Sequence, residues 1–124
     1  MTDKRILIID DEADVREIAK VSLEITKHWQ VTTAASGDEG VALASSCHPD
    51  AILLDVVMPQ VNGLATLIKL RENMDTCHIP VILLTATMRL ATQPAYAAAG
   101  AKAILVKPFD PGLLGSQIET ALGW

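Results

Sequence analysis

The sequence predicts an α/β fold, namely a three-layer, doubly wound (βα)5 domain with helices on both faces of a parallel sheet. Short apolar runs alternate with segments of helical periodicity, and this alternation occurs five times in 124 residues. Four of the runs are continuous and rich in branched side chains, which is typical of strands buried on both faces. Because 50% of the residues are hydrophobic and 20% are charged, we expect one packed domain over residues 1–124.

The predicted strands are short. Four apolar tetrads indicate buried strands, whereas a fifth segment mixes polar and apolar residues and is typical of an edge strand. The tetrads cover residues 6–9, 51–54, 81–84 and 103–106, and the mixed segment covers residues 30–34.

The first predicted helix follows the first tetrad and carries an apolar stripe that we expect to face the sheet. The stripe has helical spacing and is interrupted by the small polar residue Ser22. Acidic Asp11, Glu12 and Asp14 stand at the start of this helix, where the helix dipole favours negative charge. The stripe consists of Val15, Ile18, Ala19, Val21 and Ile25.

Capping and breaking residues set the limits of the next helices. Ser36 is predicted to cap the second helix, which ends before Pro49. The third helix is predicted to begin near Gly63 and to end before Pro80.

The last two predicted helices differ in composition. The fourth covers about residues 89–99, is rich in alanine and carries Tyr96. We favour a helix that packs tightly on the sheet, and a flat surface that accepts a partner helix is the alternative. The last covers about residues 110–122, with Asp110 as its cap and Pro111 at its first position.

Charge and composition exclude several classes of function. The net charge is −5, so the surface repels phosphate backbones and direct binding of nucleic acid is not expected. No apolar run approaches the ~18–20 residues that cross a membrane, and we see no signal peptide. Cys47 and Cys77 have neither the number nor the spacing of a disulfide framework or a metal site. We therefore expect a cytoplasmic protein with reduced thiols.

Polar residues stand where the four tetrads end. Right-handed crossovers place the carboxyl ends of all the strands at one edge of the sheet, and functional sites of open parallel sheets lie at that edge. We therefore expect three carboxylates, one hydroxyl and one ammonium group to meet there. These residues are Asp10, Asp11, Asp55, Thr85 and Lys107.

The carboxylates of this group predict a metal site. Three carboxylates so close together repel each other, and partial burial strengthens the repulsion. Lys107 offsets one negative charge, and a divalent cation would offset the rest. Oxygen ligands without His or Cys fit Mg²⁺ or Mn²⁺. We expect Asp10 and Asp11 to hold the ion and to leave positions open for a phosphoryl oxygen.

The same group of residues suits phosphoryl transfer. A carboxylate beside a cation can attack an activated phosphoryl group and form an aspartyl-phosphate. Asp55 is the best nucleophile, because it ends a central strand, and Thr85 and Lys107 can each contact one phosphoryl oxygen. The chain contains no Gly-rich phosphate loop. The phosphoryl group must therefore come from a separate donor, such as a phosphohistidine on another protein.

Five motifs follow one another in a characteristic order and spacing. They are Ile9-Asp-Asp-Glu12, Leu54-Asp-Val-Val-Met-Pro59 with Gly63, Leu84-Thr-Ala86, Gly100-Ala101 and Lys107-Pro-Phe109. Over essentially the whole chain, the sequence resembles a response-regulator receiver domain of two-component signalling. The resemblance implies a flavodoxin-like fold with the strand order 2-1-3-4-5, and a domain that accepts phosphate stoichiometrically and is not an enzyme.

The resemblance also implies roles for individual residues. Asp55 would accept phosphate from a histidine kinase or a histidine phosphotransfer protein, and Thr85 and Lys107 would contact the phosphoryl group. The peptide between Lys107 and Pro108 would be cis. The cation would be held by Asp10, Asp11, Asp55 and the backbone carbonyl of Val57. The downstream effector is not identified by the sequence.

Three positions depart from the pattern of the family. Receivers often carry Tyr or Phe three residues before the site lysine, where this chain has Ile104. We therefore predict a weaker or rerouted change on the face made by the fourth helix, the last strand and the last helix. In the family, the positions of Val57 and Thr87 flank the path of the hydrolytic water. Neither side chain offers an acid or an amide, which predicts slow self-dephosphorylation.

The last helix bears on the organisation of the protein. It contains no Arg or Lys, so it lacks the charged pattern through which receivers of DNA-binding regulators commonly pair. A stand-alone receiver and a receiver excised from a longer regulator or hybrid kinase remain equally open.

Other functions fit the sequence less well. A Mg²⁺-dependent phosphohydrolase of the haloacid-dehalogenase type needs an acid two residues after its nucleophile, and Val57 stands there. An FMN carrier of the flavodoxin type needs hydroxyl and amide groups after the first strand, where this chain has acidic residues. An interaction module that is never phosphorylated would not need the complete set of acidic, Thr and Lys residues.

Overall fold

The computed structural model describes residues 3–56, 63–86 and 92–124. Strands and helices alternate along the chain as the sequence predicts, and five of each are described. The strands are β1 (Arg5–Ile9), β2 (Gln30–Ala34), β3 (Ala51–Asp55), β4 (Val81–Thr85) and β5 (Ala101–Val106). The helices are α1 (Ala13–Lys27), α2 (Gly37–Cys47), α3 (Gly63–Glu72), α4 (Pro94–Ala98) and α5 (Leu114–Leu122).

The five strands form one parallel sheet in the order β2-β1-β3-β4-β5, which confirms the predicted topology. β1 pairs directly with β3, and Ile9 lies opposite Leu54 in the register. The chain reverses its winding direction between these two strands. Their carboxyl ends therefore lie side by side at the switch point, where open α/β sheets bind their ligands.

Two apolar layers hold the helices on the sheet and confirm the three-layer architecture. On one face, α1 and α5 pack through Leu23 and Ile118 against strand residues such as Leu53. On the other face, α2, α3 and α4 pack against the sheet, with Leu67 and Tyr96 in that layer. The residues at the centre of β1, β3 and β4 are fully buried, as the continuous apolar tetrads predict.

Local signals place α2 correctly. The Ser36 hydroxyl accepts a hydrogen bond from the backbone N–H of Glu39 at 3.2 Å, so Ser36 caps the helix as predicted. His48 ends the helix in a left-handed conformation, with its N–H donating to the carbonyl of Ala44. No helix among the residues that the structure describes is both long and apolar enough to cross a bilayer.

The prediction for the buried face of α1 is wrong. Ala19, Ser22 and Leu23 face the sheet, whereas Ile18 and Ile25 are exposed, together with Val21. Ser22 can be buried because its hydroxyl donates a hydrogen bond to the carbonyl of Ala19 at 3.0 Å. The predicted stripe is therefore mostly an apolar surface that faces away from the sheet.

Two further predictions need correction at the end of the chain. β5 is an edge strand and is only partly buried, with Val106 47% exposed, although its tetrad predicts burial on both faces. α5 begins at Leu114 and not at Asp110. The Asp110 side chain accepts a hydrogen bond from the N–H of Gly112 at 2.8 Å, which stabilises a turn before the helix.

Candidate functional site

The structure brings the five predicted site residues together at the carboxyl edge of the sheet, where Asp11 directly follows Asp10. Asp10 follows β1, Asp55 ends β3, Thr85 ends β4, and Lys107 follows β5. Asp10, Asp55 and Thr85 are buried. Asp10, Asp55 and Thr85 lie at these positions because a strand that is buried on both faces ends at each of them.

Lys107 reaches across the end of the sheet to the carboxylates. Its Nζ lies 2.7 Å from Oδ2 of Asp10 and 3.7 Å from Oδ2 of Asp55. The backbone N–H of Lys107 donates to the carbonyl of Thr85 at 2.8 Å, which anchors the residue beside β4. Burial by itself lowers the pKa of Lys107, but the carboxylates around it, with Asp10 nearest, outweigh burial and hold the pKa above its ordinary value.

Four carboxylates form an acidic cluster around this ammonium group. Asp10, Asp11, Glu12 and Asp55 each offer one oxygen, and these oxygens all lie within 4.8 Å of one another. One lysine does not balance four negative charges. A cluster of this composition, with oxygen ligands only, fits a hard divalent cation such as Mg²⁺.

One oxygen of Asp10 supports that fit. Oδ2 of Asp10 is buried and forms a close ion pair with the ammonium of Lys107 at 2.7 Å. A buried carboxylate oxygen is usually hydrogen-bonded or bound to a metal ion. Its position inside the acidic cluster therefore fits the role of a cation ligand.

Two residues that support the cluster were not predicted from the sequence. Glu12 forms an ion pair with Lys107 at 3.1 Å and donates its backbone N–H to Oδ1 of Asp10 at 2.9 Å. Arg16 donates from its Nη1 to the carbonyl oxygen of Asp10 at 2.8 Å. Arg16 stands four residues after Glu12, so helical spacing alone could have placed both on the turn of α1 next to the site.

The start of α3 lies directly against the end of β3. The N–H of Gly63 donates to the carbonyl of Val56 at 2.9 Å. A Cβ atom on Gly63 would lie 2.7 Å from both the carbonyl oxygen of Asp55 and the Cα of Val56, closer than real Cβ atoms come. Only glycine allows this contact, which holds α3 against the strand that carries Asp55.

The other predictions for the site have different outcomes. The peptide between Lys107 and Pro108 is cis, as the resemblance implies. Val57, whose backbone carbonyl is a predicted metal ligand, and Thr87 both lie outside the described residues. Asp11 is exposed at the rim of the cluster.

An apolar groove opens beside the acidic cluster. Its volume is about 390 Å³. Ile18, from the exposed face of α1, forms part of one wall. The lining residues are Glu12, Val15, Ile18, Ala86, Lys107, Pro108, Phe109 and Pro111.

One family and one solved structure each match nearly the whole chain. The response regulator receiver domain family matches residues 6–119. The solved structure of the chemotaxis protein CheY4 of Vibrio cholerae is 28% identical, with a TM-score of 0.89, and the match covers 97% of this chain and 99% of that one.

Two curated relatives are longer than this chain. The DNA-binding dual master transcriptional regulator RpaA of a Synechocystis strain is 38% identical over 95% of this chain, which spans 48% of that protein. The response regulator PleD of Caulobacter vibrioides is 38% identical over 94% of this chain, which spans 25% of it.

Proposed function

This chain belongs to the response regulator receiver domain family of two-component signalling, and on that premise we propose that Asp55 accepts the phosphoryl group. The observation that carries the proposal is the position of Lys107, whose ammonium lies within 4 Å of both Asp10 and Asp55 in the acidic cluster. The carboxylate of Asp55 is buried at the end of a central strand, next to the cation that would stabilise its attack.

The chemistry assigns a role to each residue. The carboxylate oxygen of Asp55 attacks the phosphorus of a phosphohistidine, so that an oxygen–phosphorus bond forms while the nitrogen–phosphorus bond breaks. The leaving imidazole takes the electron pair of that bond. Lys107 and the Thr85 hydroxyl stabilise the negative charge on the phosphoryl oxygens.

Asp10, Asp11 and Asp55 would hold Mg²⁺ or Mn²⁺, with the Val57 carbonyl as the resemblance implies. The ion, when bound, neutralises the acidic cluster and draws negative charge from the phosphoryl group. Glu12 and Arg16 keep Asp10 in position through its side chain and its carbonyl. The position of the buried Asp10 carboxylate within the acidic cluster supports this assignment.

The proposal treats the chain as a stoichiometric acceptor and not as an enzyme. We expect acetyl phosphate with Mg²⁺ to add one phosphoryl group per chain, read as intact mass, and EDTA to prevent the addition. Continuous release of phosphate from a simple phosphate ester, many times per chain, would instead favour a phosphohydrolase. That alternative is not favoured by the family to which the chain belongs.

We assign the phosphodonor to the groove beside the cluster. The donor would be a histidine kinase or a histidine phosphotransfer protein. Ile18 of α1 is 49% exposed and lines the groove together with Glu12 and Lys107 of the acidic cluster. An apolar surface beside a charged site is typical of a docking surface for a protein partner.

The predicted cytoplasmic location and the predicted absence of direct nucleic-acid binding stay predictions.

Ile18→Glu is expected to slow phosphotransfer from a protein donor by about tenfold, which corresponds to about 1.4 kcal/mol of lost docking energy. Labelling by acetyl phosphate is expected to stay unchanged, because that donor needs no docking surface. The measurement compares the two initial rates, with a purified histidine phosphotransfer domain that phosphorylates the wild-type chain as the protein donor.

Ile68→Glu is the matched control, because Ile68 is 40% exposed on α3 and does not line the groove. We expect this variant to accept phosphate from both donors at the wild-type rate. If Ile18→Glu lowered the rates of phosphorylation by both donors equally, or changed neither rate, the assignment of the groove would be contradicted.

A further inference from the structure

The ammonium group of Lys107 does not lie midway between its partners. Its Nζ donates a hydrogen bond to Oε1 of Glu12 at 3.1 Å and forms an ion pair with Oδ2 of Asp10 at 2.7 Å. Oδ2 of Asp55 lies 3.7 Å from the same nitrogen, which exceeds hydrogen-bond distance. The cation therefore binds Asp10 and Glu12 more closely than it binds the proposed nucleophile.

The side chain of Glu12 is not used by the helix that it begins. Glu12 is the N-cap residue of α1, a position whose side chain commonly accepts a hydrogen bond from the first turn, but it makes no such bond with the described residues. The backbone of Glu12 is held by two other bonds. Its N–H donates to Oδ1 of Asp10 at 2.9 Å, and its carbonyl accepts from the N–H of Arg16 at 3.1 Å. The carboxylate of Glu12 is therefore available to Lys107.

The three carboxylates around Lys107 differ in exposure. The side chain of Glu12 is 60% exposed and lies at the wall of the groove, whereas Asp10 and Asp55 are buried. Rotation of the Glu12 side chain into water would break its pair with Lys107 without moving a buried group. Glu12 is therefore the partner that Lys107 exchanges most easily.

We infer that Glu12 is a positioning residue that holds Lys107 in this resting position and thereby slows the phosphorylation of Asp55. The inference rests on the proposed function, in which Lys107 contacts the phosphoryl oxygens. A contact that is stronger before the reaction than in the transition state raises the barrier. The carboxylate of Glu12 also repels the negative charge of the incoming phosphoryl group. Both effects act in the same direction.

A role of Glu12 as a metal ligand makes a different prediction. Its carboxylate belongs to the acidic cluster, so Glu12 is a candidate ligand as well. Loss of a charged ligand lowers the affinity for Mg²⁺, and phosphorylation at low Mg²⁺ concentration would then become slower. A residue that restrains Lys107 has the opposite effect, because its removal speeds phosphorylation even when Mg²⁺ is saturating.

Glu12→Gln tests the inference, because the amide keeps the shape of the side chain and removes its charge. With acetyl phosphate and saturating Mg²⁺, we expect phosphorylation to be about two to five times faster than in the wild type, the scale of one exposed ion pair. The second readout needs no metal and consists of the NMR signals of the Lys107 ammonium group in EDTA. We expect these signals to shift, because a neutral amide is a weaker acceptor than a carboxylate.

Glu17→Gln is the matched control, because it removes the same charge from the same helix. Glu17 is exposed on α1 and does not belong to the acidic cluster. This variant shows whether a lower negative charge alone attracts the anionic donor. We expect the wild-type rate and unchanged signals of Lys107.

Three results would overturn the inference. They are a rate for Glu12→Gln at or below the wild-type rate in saturating Mg²⁺, an equal gain in Glu17→Gln, and signals of Lys107 that do not change in Glu12→Gln. A wild type that takes up no phosphoryl group would show failure of the proposed function itself, and the inference would fail with it.

Discussion

Replacement of Asp55 by asparagine is expected to abolish phosphorylation by acetyl phosphate. The amide has the shape of the carboxylate but is not a competent nucleophile, and losses of about 10³-fold or more follow removal of a nucleophile. Asp55 is the one predicted site carboxylate that ends a central strand beside Lys107. Intact mass after incubation with Mg²⁺ is the measurement, and the variant should keep the mass of the unmodified chain.

A loss of folding would not explain that result. Asp55→Asn removes one of four mutually repelling carboxylates, so we expect the variant to fold at least as well as the wild type. Asp75→Asn is the matched control, because Asp75 is exposed in the turn after α3 and does not belong to the acidic cluster. This control should be labelled like the wild type. Full labelling of Asp55→Asn would show that another residue accepts the phosphoryl group.

Asp10→Asn is expected to remove the stabilisation of the fold by Mg²⁺. Binding of an ion to the folded state alone raises the free energy of unfolding by about 2.7 kcal/mol at about 100 times its Kd. We expect this gain in the wild type. In the variant we expect about 0.5 kcal/mol or less at the same Mg²⁺ concentration, because affinity falls with the loss of a charged ligand. Urea unfolding in EDTA and in Mg²⁺ measures both values.

The stability of Asp10→Asn without metal follows from opposing charges. Attraction to Lys107 over 2.7 Å stabilises the Asp10 carboxylate, whereas repulsion from the three carboxylates within 4.8 Å destabilises it. Solvent screens the exposed Asp11 and Glu12, which brings the two effects close to balance. In EDTA, we expect the free energy of unfolding of the variant to lie within about 1 kcal/mol of the wild-type value.

An equal Mg²⁺ gain in Asp10→Asn and in the wild type would contradict the assignment of Asp10 as a ligand. Asp75→Asn again serves as the control and should gain as much from Mg²⁺ as the wild type does. The Asp10→Asn variant keeps the side-chain oxygen that accepts the hydrogen bond from the Glu12 N–H. A difference between the two variants in the Mg²⁺ gain therefore reports the loss of the negative charge.

The sheet and the position of the site could be predicted because they follow from strong local signals. β1, β3 and β4 are buried on both faces, so each appears in the sequence as an uninterrupted apolar run that ends abruptly in a polar residue. The parallel topology then brings those polar residues to one edge. Asp10, Asp55 and Thr85 were placed by this rule alone.

The buried face of α1 could not be predicted, because the helix is apolar on two sides. Ile18 and Ile25 are exposed although they are large and hydrophobic. The smaller Ala19 and Ser22 face the sheet, together with Leu23. The hydrogen bond between Ser22 and Ala19 makes this burial possible. The most hydrophobic side of α1 is therefore the exposed side, which includes Ile18 of the proposed docking groove. Packing against the sheet buries the opposite side of the helix.

The start of α5 and the role of Glu12 in the site depend on contacts that the sequence pattern does not show. Asp110 and Pro111 resemble a helix cap and a first helical residue, but the Asp110 side chain bonds to Gly112 and forms a turn. Glu12 could be read as part of a helix start, whereas its ion pair with Lys107 spans nearly the whole length of the chain. Such a pair can be predicted only after the fold is known.

The most direct test of this account identifies the residue that carries the phosphoryl group. The wild-type chain is incubated with acetyl phosphate and Mg²⁺, the acyl phosphate is reduced with borohydride, and the modified residue is located by peptide mass spectrometry. We predict modification at Asp55 alone, and none in EDTA. Modification at Asp10, at Asp11 or at a histidine, or labelling that does not depend on Mg²⁺, would contradict the claim that the acidic cluster prepares Asp55 for phosphorylation.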